Sequence, residues 1–439
     1  MTTTRWHARE LPTQGQHTLP GRYFTSPAIL AEEQERLFTR QWLCVEREQR
    51  LARPGDYFLL EVAGESLIIL RDQSGEVRAL YNVCRHRGSR LCEEHQGQFS
   101  ETIQCPYHAW TYALDGRLIG APATNDLEGF RKQDWPLRSV AVATWEGFIF
   151  INLAEAPRPF AEEHAPLLGR FSRFNLPNLH QGRMIEYDIR ANWKLVVQNY
   201  SECYHCPLVH PTLTKRTPPN LGENDLVEGP FLGGYMILAD GSRSMTLSGR
   251  VCGLPVDPQL PAEDHDRVYY YSIMPNMLLS LHPDYVMFHL LWPVAVDRTR
   301  ISCHWLFHPD TLKDPTFDIE DGTRFWDMTN REDWHVCELS QQGVQSRAYR
   351  PGPYSRRETL SAAFARHAGM DGERMHAARD LGGESVVDHA VAFEPALAAK
   401  GFAHDHGLEM MAVADDLHML ASQPILDIAL DVCGQDQGG

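Results

Sequence analysis

Long hydrophobic runs are missing from this sequence. Its longest uncharged stretch, Val268–Pro283, has 16 residues and is interrupted by Pro275, Asn276 and His282. No segment therefore reads as a membrane span. Positive charge is also scarce: 41 Lys and Arg stand against 58 Asp and Glu, a formal charge of −17. Nucleic acid and anionic membrane both need a positive footprint, so both are excluded as partners. The ten cysteines are scattered over 439 residues, which fits a reducing cytosol better than a disulfide scaffold. The opening MTTTRWHARE has no apolar core of a secretory signal. There is no internal repeat, no low-complexity tract and no G-x-G-x-x-G after a strand, hence no motif for collecting hydride from a dinucleotide. What is present is 43% hydrophobic and 23% charged residues, an ordinary globular balance. The expectation is a soluble cytoplasmic enzyme of roughly two to three domains.

Ser26-Pro27 is a helix start, with Ser as cap and Pro at the first helical position. Ile29, Leu30, Leu37, Phe38 and Trp42 mark an amphipathic helix ending near Gln41. From Pro54 the period changes to short β-rich runs at 56–62, 66–71 and 76–81, with a hairpin signal at Asp115-Gly116 and a further run at 147–153. Residues 44–155 thus read as an all-β domain after an N-terminal segment, 1–43. The stretch 184–189 resembles a strand, 192–204 a helix that stops before Pro207, and 267–309 a succession of strands divided by Pro, Asn and Asp. Phe317 to about Val344 has helical spacing. Residues 156–365 therefore predict an antiparallel sheet closed by a long helix, which makes the chain α+β. Residues 366–439 shift to Ala, His and Asp and form an extension of no assigned role.

Two clusters carry chemistry. Cys84-Arg85-His86 and Cys105-Pro106-Tyr107-His108 are separated by 18 residues and sit at hairpin tips, with Gly88 and Pro106 shaping the loops. A structural Zn²⁺ could use two Cys and two His. A Rieske [2Fe–2S] cluster uses two thiolates on one iron and two imidazoles on the other. Each pair here mixes Cys with His on a β turn, whereas a zinc finger places its second pair on a helix, so the Rieske reading is favoured. Cys92, Cys203, Cys206, Cys252, Cys303 and Cys337 read as small buried hydrophobes.

The second cluster is Asn199, Glu202, His205 and His210. If 193–206 is helical, Asn199, Glu202 and His205 share one face, and His210 follows Pro207 from the next turn. Two histidines suit Fe(II), and a carboxylate would complete a facial triad with open positions. Along the helix 323–345 the apolar residues Phe325, Trp326, Met328, Val336, Cys337 and Leu339 form a stripe, with Asp327 and Glu338 opposite it. Asp333 falls within that stripe and Glu332 near its edge. A charge on a buried face is costly unless it is paired or bound to metal, so Asp333 is the expected third ligand and Glu332 the competitor.

CRHRG-x₁₆-CPYHAW followed by NYSECYHCPLVH resembles the catalytic alpha subunit of Rieske non-haem iron oxygenases, over about Tyr23 to Ser355. The resemblance implies an all-β Rieske domain followed by a helix-grip catalytic domain of the START/Bet v1 type. It implies Cys84, His86, Cys105 and His108 on the cluster, and His205, His210 and Asp333 on a mononuclear iron, with O₂ as co-substrate. The family's bridging acid, usually Asp, is here Glu202, linking His205 to His108 of a neighbouring subunit in a homotrimer. Asn199, one helical turn before Glu202, either orients a water or ligand near the iron or is a plain helix-side amide. A separate NAD(P)H-dependent reductase carrying flavin and an iron–sulfur centre is implied, directly or through a ferredoxin. ECYHC, the block Trp326 to Asp333 and AYRPGPYS (Ala348 to Ser355) resemble the glycine betaine, carnitine and stachydrine demethylases. The chain is shorter than the glycine betaine pattern between His210 and Met245, and the residues beyond Ser355 match nothing in it.

Three functions follow as alternatives: a monooxygenase that hydroxylates an N-methyl carbon of a quaternary ammonium, an aromatic ring mono- or dioxygenase, and a non-catalytic iron–sulfur or zinc protein. Length disfavours the third, because most of the chain follows the cluster. A quaternary ammonium wants aromatic faces, available from Phe231, Tyr235, Tyr269, Tyr270, Tyr271, Phe288 and Trp292. His282, His289 and His304 read mainly as hydrogen-bonded structural histidines, one of them near the pocket.

Overall fold

A computed structural model of the chain describes residues 16–367 other than 226 and 228. The expectations for residues 1–15 and for most of the extension 366–439 lie outside the described residues. Ser26 caps the first predicted helix, its Oγ accepting from the Ile29 amide. The helix Pro27–Glu33 continues as a wider π turn to Phe38.

Ten strands follow: Leu43–Arg47 (β1), Asp56–Val62 (β2), Glu65–Arg71 (β3), Val77–Tyr81 (β4), Gln96–Gln98 (β5), Thr102–Gln104 (β6), Thr111–Ala113 (β7), Leu118–Gly120 (β8), Ser139–Trp145 (β9) and Phe148–Asn152 (β10). Seven of them form an antiparallel sheet in the order β1-β10-β9-β4-β3-β2-β5, and β6-β7-β8 form a second, smaller one. Strands β9 and β10 turn at Glu146-Gly147, both with positive φ, the conformation a two-residue hairpin needs. A Cβ on Gly147 would strike the Arg47 guanidinium folded beneath the turn.

The centres of β3 and β10, 67–70 and 148–151, are hydrophobic at successive positions because both faces are covered. On β3, Leu67 and Ile69 enter one core and Ile68 and Leu70 another. On β10, Ile149 and Ile151 face away from Phe148 and Phe150. Each such buried side chain contributes about 1.5–3 kcal/mol relative to exposure.

The second half is built on His180–Ile189 (β11), Gly222–Asn224 (β12), Phe231–Ile237 (β13), Arg267–Ile273 (β14), Met277–Leu281 (β15), Val286–Ala295 (β16) and Arg298–Phe307 (β17). These pair in the order β11-β17-β16-β15-β14-β13-β12, antiparallel throughout. The helix Ile319–Val344 packs against β11 and the helix Trp193–Tyr200. Its Asp318 caps the Glu320 amide, and Glu320 and Asp321 in the first turn complement the helix dipole.

The stripe of this long helix differs from the expectation. Leu339 is exposed, while Thr329, Asn330, Trp334 and Gln341 are buried beside Phe325, Trp326 and Cys337. Asp327 and Glu338 do not face solvent alone: Asp327 accepts from the Tyr187 hydroxyl at 2.8 Å and Glu338 from the Arg190 amide at 3.0 Å, both on or next to β11. Polar groups paired with the sheet edge widen the buried face beyond what an apolar count reveals.

The short helix Trp193–Tyr200 is fixed at its start. Asn192 accepts from the Lys194 amide, and its own amide donates to Val296 O. Fully buried Lys194 meets Glu33 Oε1 at 2.6 Å, and the Trp193 indole donates to Glu33 Oε2 at 2.9 Å. Burial pulls the Lys194 ammonium below its ordinary range against the support of Glu33. This pair ties the N-terminal helix to the element that carries Asn199.

Candidate active site

The two Cys/His loops are built alike. Cys84 N donates to Ser89 O and Gly88 N to Cys84 O; Cys105 N donates to Trp110 O and Ala109 N to Cys105 O. Each loop closes on a residue with positive φ, Gly88 in one and Ala109 in the other. Both sulfurs are buried, and the Tyr112 hydroxyl lies 3.4 Å from Cys84 Sγ. Burial raises the Cys105 thiol, but the Tyr107 and His108 amides aimed at the sulfur outweigh it and leave it below its ordinary value. The His86 and His108 rings stand 4.7 Å apart at 70°. His108 Nδ1 is buried without any hydrogen-bond partner, the state of a nitrogen whose lone pair is reserved for a metal. Paired sulfurs below and paired imidazoles above fit a Rieske [2Fe–2S] cluster.

Between the long helix and the second sheet, His205, His210 and Asp333 place one ligand atom each within 4.8 Å of one another. Asp333 Oδ1 is 3.2 Å from His205 Nε2 and 2.8 Å from His210 Nε2. The outer nitrogens are held as well: His205 Nδ1 donates to Glu202 Oε1 at 2.6 Å, and His210 Nδ1 to Glu332 Oε2 at 2.7 Å. Asp333 thus sits inside the triad and Glu332 behind it, orienting a ring. Burial works against a proton on His205, yet the Asp333 and Glu202 carboxylates raise it to about 10. Burial likewise works against charge on Asp333, and the two imidazoles hold it below the usual carboxylate range. Two imidazoles and one carboxylate, each imidazole backed by another carboxylate, fit a divalent metal with open positions.

The segment bearing these ligands departs from the expectation. The helix ends at Tyr200, and Cys206–Val209 is a separate turn with Pro207 near its start. Glu202 therefore reaches His205 across a loop, and its other oxygen accepts from the Tyr204 amide. Cys203 and Cys206 are joined in a disulfide on either side of His205, not left as two small buried hydrophobes; the turn between the helices brings their Cα atoms to 4.9 Å.

A cavity opens over the triad. Its walls include Asn199, Tyr200, Tyr270, Ser272, Trp326 and Thr329. Of the aromatic residues expected there, only Tyr270 is present. Strand alternation sends Tyr269 and Tyr271 to the opposite face, where they pack with Phe231 and Phe288. Tyr200 and Trp326 complete the wall; no strand pattern could have pointed to them, because both come from helices. Tyr270 lies 6.2 Å from Tyr200 and 6.3 Å from Trp326, ring centre to ring centre. His304 is hydrogen-bonded to Gln181 and Ser302 as expected. His282 and His289, by contrast, are buried with neither ring nitrogen partnered.

The comparisons with known proteins agree with this arrangement. Residues 41–131 match the Rieske [2Fe-2S] domain, and residues 176–369 match the ring hydroxylating alpha subunit catalytic domain. The chain belongs to the Rieske-type oxygenases, as a catalytic alpha subunit: an oxidoreductase that carries a Rieske cluster and a mononuclear iron and uses O₂. Within that class it is 31% identical over 379 residues to the glycine betaine monooxygenase oxygenase subunit of Chromohalobacter salexigens, covering 78% of this chain and 83% of the relative. It is 30% identical over 339 residues to the carnitine monooxygenase oxygenase subunit of Acinetobacter baumannii, covering 76% of this chain and 86% of the relative. A solved quaternary ammonium Rieske monooxygenase superposes with a TM-score of 0.68 at 26% identity, over 80% of this chain and 94% of that one. No helix among the described residues is long and apolar enough to cross a membrane.

Proposed function

We propose that this oxygenase removes an N-methyl group from a quaternary ammonium of the betaine type. The observation that carries this reading is the aromatic corner of Tyr200, Tyr270 and Trp326 in the cavity that holds His205, His210 and Asp333. Ring faces bind a methylated cation without needing a hydrogen bond from it. The relatives named for glycine betaine and carnitine support the same substrate class.

His205, His210 and Asp333 are assigned to the mononuclear iron, and Cys84, His86, Cys105 and His108 to the cluster. When bound, these groups supply electron storage and O₂ activation. The rings hold the ammonium so that one methyl faces the triad, and the apolar walls keep bulk water away. The overall change takes substrate C–H, O₂, two electrons and two protons to C–OH and water. The hydroxymethyl ammonium then collapses: its O–H proton goes to solvent, the C–N bond breaks with its electron pair left on nitrogen as the C=O of formaldehyde forms, and the freed tertiary amine takes up a proton.

Glu202 is assigned as the electron bridge, with one oxygen on His205 and the other on the Tyr204 amide, in a segment where Tyr204 and Leu208 are exposed. None of the residues lining the two cavities beside Glu202 belongs to the cluster loops. That supports delivery from His108 of a second copy, in a homotrimer fed by a separate reductase. Asn199, lining both cavities, is assigned to orienting a ligand or water near the iron. The test is turnover with a surrogate reductase across betaines and aromatic acids, scored for formaldehyde and hydroxylated product. Formaldehyde from a betaine is expected; a phenol or diol without formaldehyde would overturn the reading.

A further inference from the structure

One end of the same cavity is unlike the rest. Arg357 lines it and is exposed, and its guanidinium has no hydrogen-bond or ion-pair partner among the described residues. Every other charged group on the cavity wall is committed: Glu202 to His205, and Asp333 to both imidazoles. Beside Arg357 in the chain, the Thr359 oxygen accepts from the Asn224 amide at 2.8 Å, which leaves the Thr359 O–H free to donate. The Arg357 guanidinium N–H groups and the Thr359 O–H are thus free donors, which suits this end of the cavity to an acceptor group.

Sheet register places that end relative to the rings. Asn224 on β12 pairs with Gly234 on β13, and Gly234 pairs with Tyr270 on β14. Residues paired in this way share a face, and two strand spacings separate Asn224 from Tyr270 by roughly 10 Å. Gly234 puts no side chain between them, and a Cβ there would strike the Glu223 carbonyl. The cavity is therefore polarised, with ring faces and the triad at one end and a free cation with a hydroxyl donor at the other.

We propose that Arg357, with the Thr359 hydroxyl beside it, binds the carboxylate of a zwitterionic quaternary ammonium, and so selects amino-acid betaines over alcohol-ended congeners. The proposal rests on the ammonium reading above. A guanidinium can hold a carboxylate through two parallel N–H donors, which a point charge cannot do as well. With the carboxylate anchored at the mouth, a chain a few carbons long leaves the methylated nitrogen at the rings.

The test is anaerobic calorimetric titration of the metal-loaded protein with glycine betaine, γ-trimethylammoniobutyrate and choline, for the wild type, Arg357→Gln and Arg357→Lys. Loss of a charge-assisted pair is expected to weaken binding of both carboxylates on the order of 10- to 100-fold in Arg357→Gln. Choline affinity should move less than about threefold, and Arg357→Lys should recover part of the loss. Equal weakening of all three ligands, or no change in any, would overturn the assignment of Arg357 while leaving the ammonium reading standing. A wild type that binds none of the three would overturn that reading and this proposal together.

Discussion

The two regions assigned to metal binding solve opposite problems. The Cys/His loops bury their sulfurs and leave the histidine side open: His86 is exposed, and neighbouring Tyr107 is 57% exposed. The triad keeps His210 at 1% exposure, backs each imidazole with a carboxylate, and lies under a cavity with aromatic walls. A centre that passes electrons to another protein surface needs an accessible edge. A centre that oxidises a C–H bond needs ordered ligands and little water. The difference in exposure therefore supports assigning the loops as the electron store and the triad as the site of chemistry.

The largest expected effect breaks one region and spares the other. Asp333→Ala should abolish turnover and mononuclear iron while the visible absorption of the cluster persists; iron analysis together with the spectrum checks this. A bleached protein would mean that the two regions are not independent. Next, Glu332→Ala removes only the carboxylate behind His210 and should weaken mononuclear iron binding about 10- to 100-fold, read by chelator competition. An unchanged affinity would show that the ring is held by its backbone alone.

Stability sharpens the comparison from a third direction. Glu33→Ala strands the buried Lys194 charge and should cost about 3–5 kcal/mol in denaturant unfolding. The cost falls on the catalytic half, whose helix Trp193–Tyr200 this pair anchors. The smallest effect concerns pH. Burial lowers His282 to about 3, and burial lowers His164 to about 4 against the backbone hydrogen bond from the turn at Phe160. The unfolded chain takes up these protons near 6.5, so stability is full above that pH and falls as pH drops towards 4. At pH 5 each histidine should account for about 2 kcal/mol. Unfolding midpoints that stay flat between pH 7 and 5, or a His282→Phe variant with the same slope as the wild type, would contradict this.

Much of this arrangement is legible in the sequence, and the exceptions have physical causes. The strands β2, β3 and β4 lie within a residue of the runs at 56–62, 66–71 and 76–81, because turn residues bound them sharply. The Cys/His pairs announce themselves through spacing. Asp333 could be singled out because a carboxylate on a buried helical face needs a partner. Glu332 was harder to place: its role depends on where His210 comes to rest, and that is set by the break after Tyr200. The Cys203–Cys206 disulfide depends on the same turn. The cavity wall was the least legible part, since Tyr269, Tyr270 and Tyr271 look identical until the pleat decides which of them faces inward.

The central claim is that electrons stored in the exposed loops reach the enclosed triad through Glu202. Its most direct measurement is a single turnover: the cluster is reduced in advance, then mixed with O₂ and a betaine in wild-type protein and in Glu202→Ala. The account predicts that wild-type clusters reoxidise as formaldehyde appears, while the variant retains both metals, stays reduced and yields none. Reoxidation and formaldehyde at the wild-type rate in the variant would contradict it.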